Sequence, residues 1–119
     1  MNICILKPET SAQRYVHIKL SGEFDAGGCK EIRKELEQLV SDHVGKELEL
    51  DLSQVSFIDS SGIGAIVFLY KRMLENNGGV KLKNVHGQPK ELITLLRVDK
   101  AIHVEWAQNL GNSQMEAQS

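Results

Sequence analysis

Asp59, Ser60, Ser61, Gly62 and Gly64 place a carboxylate, two hydroxyls and two glycines within six positions, enough to hold or carry an anion. An aspartate and two adjacent hydroxyls stand between two apolar patterns. Leu48, Leu50 and Leu52 alternate with charged residues and lead to Val55, Phe57 and Ile58, which reads as a strand. Ile63, Ile66, Val67, Tyr70 and Leu74 recur at helical spacing. A strand-to-helix junction collects unpaired backbone N–H groups and the positive end of the helix dipole, so it suits an anion or a phosphate carried reversibly on serine. The same residue types are also ordinary helix caps, and spacing alone leaves both readings open.

Other chemistries at this turn fail on their motifs. A hydrolase elbow needs glycine two residues before the serine, but Ile58 precedes Ser60 and Asp59 precedes Ser61 at that distance. Gly62 and Gly64 are followed by Val67 where a dinucleotide loop needs a third glycine, and no glycine–lysine pair forms a Walker loop. Asp59 at a strand end suggests an acceptor aspartate, yet the first strand ends in Lys7-Pro8 and lacks the paired acids that hold magnesium. No catalytic residue is expected.

The run from Asp51 to Gly64, reading DLSQVSFIDSSGIG, resembles the signature of the STAS domain, the sulfate transporter and anti-sigma-factor antagonist family. It is most similar to the single-domain anti-sigma factor antagonists. Leu20-Ser21-Gly22-Glu23-Phe24-Asp25 and the Gly78-Gly79-Val80-Lys81-Leu82 segment extend the resemblance over roughly residues 10 to 106. It implies an α/β fold with a mostly parallel central sheet, an N-terminal antiparallel hairpin and covering helices. It implies that Ser60 is a phosphoacceptor, and that Asp25, Asp59, Ser61, Gly62 and Gly64 border a partner surface. The implied partners are an anti-sigma factor or serine kinase of histidine-kinase-like ATPase type, bound by the unphosphorylated form, and a PP2C-type phosphatase. The alternative within the family is a ligand-binding or scaffold subunit of a transporter or sensory complex.

Composition is compatible with this reading. The 119 residues suit one core, and a formal charge of −2 leaves no electrostatic footprint for nucleic acid or an anionic membrane. Cys4 and Cys29 lack metal or redox spacing and read as buried small apolar residues, while four separated histidines form no local ligand pair. Neither a metal nor a cofactor is expected. No apolar run reaches the roughly 18 residues of a membrane span, and no signal-like start is present, so the expected location is cytoplasmic. Residues 1–106 are expected to form the domain. Residues 107–119, with only Leu110 and Met115 as larger apolar residues, are expected to be a polar tail, frayed or disordered.

The elements that must position the turn follow from the pattern. A strand over Ile3–Leu6, closed by Pro8 and the Glu9-Thr10-Ser11 turn, should pair antiparallel with Tyr15–Leu20, which Ser21-Gly22 ends. Asp25 caps a helix whose buried stripe is Cys29, Ile32, Leu36, Leu39 and Val40. Its charged flank, including Lys30, Arg33 and Glu37, reads as a solvated face without chemistry. Gly45 closes that helix, Lys46–Leu52 forms the central strand, and a long helix runs from Ser61 to the Asn76-Asn77-Gly78-Gly79 stop. A strand through Val80, Leu82 and Val85 leads to a helix opened by Gln88-Pro89, with Leu92, Ile93, Leu95 and Leu96 inward. Val98 and Ile102–Trp106 complete the sheet. Ser60, at the helix start, can hold its hydroxyl outside the first turn, whereas Ser61 is expected inside it and engaged with backbone groups. Gly62 and Gly64, unfavourable in a helix, are expected to keep the surface flat for a partner, with close packing on the sheet as the alternative.

Overall fold

Leucines at alternate positions put Leu48, Leu50 and Leu52 on one face of a strand, and all three are buried in the core. In the computed structural model, which describes residues 1–6 and 14–107, this strand is β3, Glu47–Ile58, the middle of a five-stranded sheet ordered β1-β2-β3-β4-β5. The others are β1 (Asn2–Leu6), β2 (Tyr15–Phe24), β4 (Gly79–Val85) and β5 (His103–Trp106). β1 pairs antiparallel with β2, and the remaining pairs are parallel. Each parallel step is bridged by a helix: α1 (Ala26–Asp42), α2 (Ser60–Glu75) and α3 (Gly87–Leu95), the last followed by a short 3-10 turn at Val98–Lys100. This is the α/β arrangement expected from the pattern.

The core lies between the sheet and the helices. Val16, Ile18 and Leu20 of β2 and Val80 and Leu82 of β4 join the β3 leucines, and Ile32, Leu36, Ile66, Leu69 and Met73 meet them from α1 and α2. The alternate positions carry charge. His17, Lys81 and Lys83 lie 2.8 to 3.8 Å from Glu49, and Lys81 and Lys83 also reach Glu105. α2 stops where Asn77 takes a left-handed conformation (φ 62) and Gly78 donates back to the Met73 carbonyl at 2.7 Å.

Four expectations are corrected. β2 does not end at Ser21-Gly22: two irregularities in its register, with Gly22 at φ 107, carry it on to Phe24, because pairing with β3 continues there. β3 likewise continues from Leu52 to Ile58. The cysteines are not core residues, since Cys4 points outward from the edge strand and Cys29 is half-buried in the first turns of α1. Leu95 and Leu96 are 74% and 48% exposed, and α3 instead buries Pro89 and Ile93. A nine-residue helix offers one narrow inner stripe, filled by positions four apart, so Leu95 falls on the far side. The Glu9-Thr10-Ser11 turn and residues 108–119 lie outside the described residues, although Ala107 still donates to the Val85 carbonyl at 2.9 Å. Among the described residues no helix is long and apolar enough to cross a membrane.

The exposure of Leu95 and the burial of Ile93 separate in a melting experiment. Ile93→Ala should cost about 2–5 kcal/mol, as deletion of a buried aliphatic side chain does, whereas Leu95→Ser should stay within about 0.5 kcal/mol. Denaturant titrations of both variants check this.

Candidate functional site

The parallel pairing of β2 with β3 reaches its last rung at Phe24 and Ile58, so both strands end side by side. Each is followed at once by an aspartate in extended conformation and then by a helix. Asp25 Oδ1 accepts from the Gly28 amide at 2.8 Å. Asp59 Oδ1 accepts from the amides of Ser61 and Gly62 at 2.9 and 3.2 Å. Two helix N-termini therefore converge, each capped by a carboxylate that takes up free N–H groups and answers the dipole. The Asp59 amide donates to the Phe24 carbonyl at 3.3 Å, which ties the two starts together. Cys29, one turn into α1, senses both caps: burial first, then the carboxylates of Asp59 and Asp25, push its thiol up. A thiol held protonated in this way is a poor nucleophile.

Ser60 is the first residue of α2, one position earlier than expected, and it is exposed. The cap is Asp59, not a serine. Ser61 is also exposed, and its backbone engagement runs through its amide to Asp59. The serines differ in what lies beside them. Ser61 borders a groove of about 490 Å³ between α1 and α2, lined also by Ala26, Cys29, Lys30, Arg33, Ala65 and Phe68.

The two glycines part company. A Cβ on Gly62 would fall on the Phe24 carbonyl oxygen and within 2.6 Å of Ile58 Cγ1, so Gly62 lets α2 sit directly on the two strand ends. The flat-surface expectation is corrected for Gly62, which is buried, and close packing takes its place. At Gly64 a Cβ would meet nothing within 4 Å, and the residue is exposed.

The charge pattern predicts a solvated flank without chemistry for Lys30 and Arg33, yet both line the groove with Ser61, Arg33 lying 3.9 Å from Glu37. Phe68 is 37% exposed with the Arg72 guanidinium over its ring, and Phe57, three residues before Ser60, is 40% exposed. A signal was present: Ala26, Cys29, Lys30, Arg33 and Glu37 recur on a second stripe of α1, and Ser61, Ala65 and Phe68 recur at i, i+4 and i+7 on α2.

A parallel sheet with an added antiparallel edge strand and an exposed serine opening the helix after its central strand defines a STAS-type domain. The chain belongs to the STAS family: the family model described as "Mlab, STAS domain" matches residues 9–105. The anti-sigma-B factor antagonist of Bacillus subtilis (strain 168) is 30% identical over 70 residues, which cover 59% of this chain and 62% of that protein. The matched segment thus spans less than two thirds of that relative. The solved STAS domain protein from Planctomyces limnophilus superposes with a TM-score of 0.75 at 17% identity, covering 98% of each chain. The anti-sigma factor antagonist SpoIIAA in its unphosphorylated form superposes with a TM-score of 0.62 at 18% identity, covering 99% of each. These two likenesses show the fold. The Bacillus subtilis relative and SpoIIAA are both named as antagonists of anti-sigma factors.

The contrast between the glycines is measurable. Gly62→Ala should destabilise by about 1–3 kcal/mol, because the new methyl meets backbone that cannot yield. Gly64→Ala should stabilise by about 0.4–1 kcal/mol through helix propensity and a less free unfolded chain. Equal effects in denaturant unfolding would refute the assignment of Gly62 to packing.

Proposed function

We propose that this protein is an anti-sigma-factor-antagonist switch: its unphosphorylated form binds an anti-sigma factor or serine kinase of histidine-kinase-like ATPase type in the cytoplasm, and phosphorylation of Ser60 ends that binding. A PP2C-type phosphatase restores the binding form. The observation that carries the reading is the place of Ser60, exposed on the first turn of α2 directly after the Asp59 cap. The name of the Bacillus subtilis relative supports the same role.

The physics of the switch is local. A phosphate adds about −1.5 to −2 charges next to Asp59 and close to Asp25. In the free protein water and the α2 dipole accommodate it. Against a docked partner the same charge loses solvent, and a buried charge without a paired cation is strongly unfavourable. Asp25, Asp59, Ser61 and Gly64 form the surround of that contact, with Phe57 and the α1–α2 groove as its apolar part. Gly62 contributes by seating the helix.

Affinity capture from native lysate identifies the partner: a histidine-kinase-like ATPase supports the switch, and a transporter component supports the scaffold alternative. Phosphopeptide mapping after incubation with the captured kinase should find Ser60, lost in Ser60→Ala and kept in Ser61→Ala. In calorimetric titrations Ser60→Asp should bind at least about tenfold more weakly than Ser60→Ala, or 1.4 kcal/mol. Its melting temperature should barely move, since an acidic residue at a helix start gains about 0.3–1 kcal/mol. Equal affinities of the two variants would rule out a charge switch at this turn.

A further inference from the structure

β4 leaves β3 early. Their pairing runs from Glu47 with Gly79 to Asp51 with Lys83, while β3 continues to Ile58. Over this overhang the ladder no longer serves the β4 side of β3, and side chains from the segment opening α3 take over. The His86 ring nitrogen Nε2 lies 2.9 Å from the Ser53 carbonyl. Gln88 Oε1 accepts from the Ile58 amide at 2.8 Å, and Gln88 Nε2 donates to the Ile58 carbonyl at 2.8 Å. A primary amide carries one acceptor and donors side by side, so Gln88 offers Ile58 the same pair that a neighbouring strand would offer.

In a strand the N–H and C=O of one residue point to one side, and those of the next residue to the other. Ile58 therefore faces Gln88, and the Asp59 amide faces β2, where it donates to the Phe24 carbonyl. The Ile58–Asp59 peptide plane is gripped at both ends, its carbonyl by Gln88 and its N–H by Phe24. That plane aims Asp59, whose carboxylate caps α2 and sets Ser60 on the first turn.

We propose that Gln88 is a positioning residue for the Ser60 turn, acting through the Ile58–Asp59 peptide plane; its functional meaning rests on the switch reading above. The Gln88 amide bonds to Ile58, two residues before Ser60. It supplies the side of the mount that the sheet itself does not.

Amide hydrogen exchange on the ¹⁵N-labelled full chain tests this without any partner, so its outcome stands apart from whether Ser60 accepts phosphate. Gln88→Ala should lower the protection of Ile58, Asp59, Ser61 and Gly62 by about tenfold or more and leave Leu50 and Leu82 within about twofold. Gln88→Glu supplies the second variant. Near pH 4, about the ordinary glutamic-acid pKa, a protonated carboxyl can still donate to the Ile58 carbonyl and keep the turn protected. Near pH 7, about three units higher, the carboxylate has only acceptors, and protection at the same four amides should fall. Wild type measured at both pH values corrects for effects of pH that do not arise at position 88; Asp59 and His86 are the ionisable groups flanking the clamp. Wild-type protection at the four amides in both variants would overturn the proposal, as would a loss spread evenly over all strands.

Discussion

Parallel pairing of β2 with β3 down to Phe24 and Ile58 is the constraint on which the rest depends. It ends two neighbouring strands at one level, so the two following helices must start side by side. Converging N-termini bring two positive dipole ends together, which is unfavourable unless each meets negative charge. Asp25 and Asp59 meet that need, each at the first position after its strand. The caps thus already set the charge balance of the junction, a full negative charge against each partial positive end. A further dianion on Ser60 would not leave that balance unchanged, which is why the turn suits a charge-controlled contact.

The helix carrying the serine is seated tightly. Gly62 is unfavourable in a helix by about 0.8–1 kcal/mol relative to alanine, yet it allows α2 to rest on the Phe24 carbonyl and Ile58. Close seating places Ser60 on a rigid mount, where a contact can be made with little loss of freedom on binding. The groove beside it has the mixed character of a recognition surface, with Ala65 and Phe68 on one wall and Lys30 and Arg33 on its rim. By contrast, the charges around Glu49 pair across strands on a different part of the sheet. Glu49 is itself buried among these partners, so its charge is answered within the sheet, and the candidate contact collects at the carboxyl ends of the strands.

Much of this was legible in the sequence because it depends on local rules. Alternating Leu48, Leu50 and Leu52 specify a strand with one buried face, the helical spacing from Ile63 specifies α2, and Asp25 before an apolar helical pattern specifies the cap of α1. The antiparallel opening pair and the parallel remainder follow from short and long connections. Ser60 as the candidate acceptor came from a resemblance of residues 51–64 to the STAS signature, a local motif. The fates of Cys29, Leu95 and Leu96 were not legible, because apolar character states a preference for burial without saying which side of a helix meets the sheet.

Element types and their order, with cap-forming side chains ahead of α1 and α2, follow from sequence alone, since hydrophobic period and capping chemistry act over a few neighbouring residues. What those elements bring together depends on how they pack. Residues 24 and 58 meet because β2 and β3 pair to their ends, and residues 58 and 88 meet because β4 parts from β3 early. Gly62 became a packing residue and Gly64 a surface one through the same fact, the closeness of α2 to two strand ends. Each of these contacts joins positions about thirty residues apart or turns on which side of a helix faces inward. Close packing of the whole chain settles them, and no local pattern encodes them.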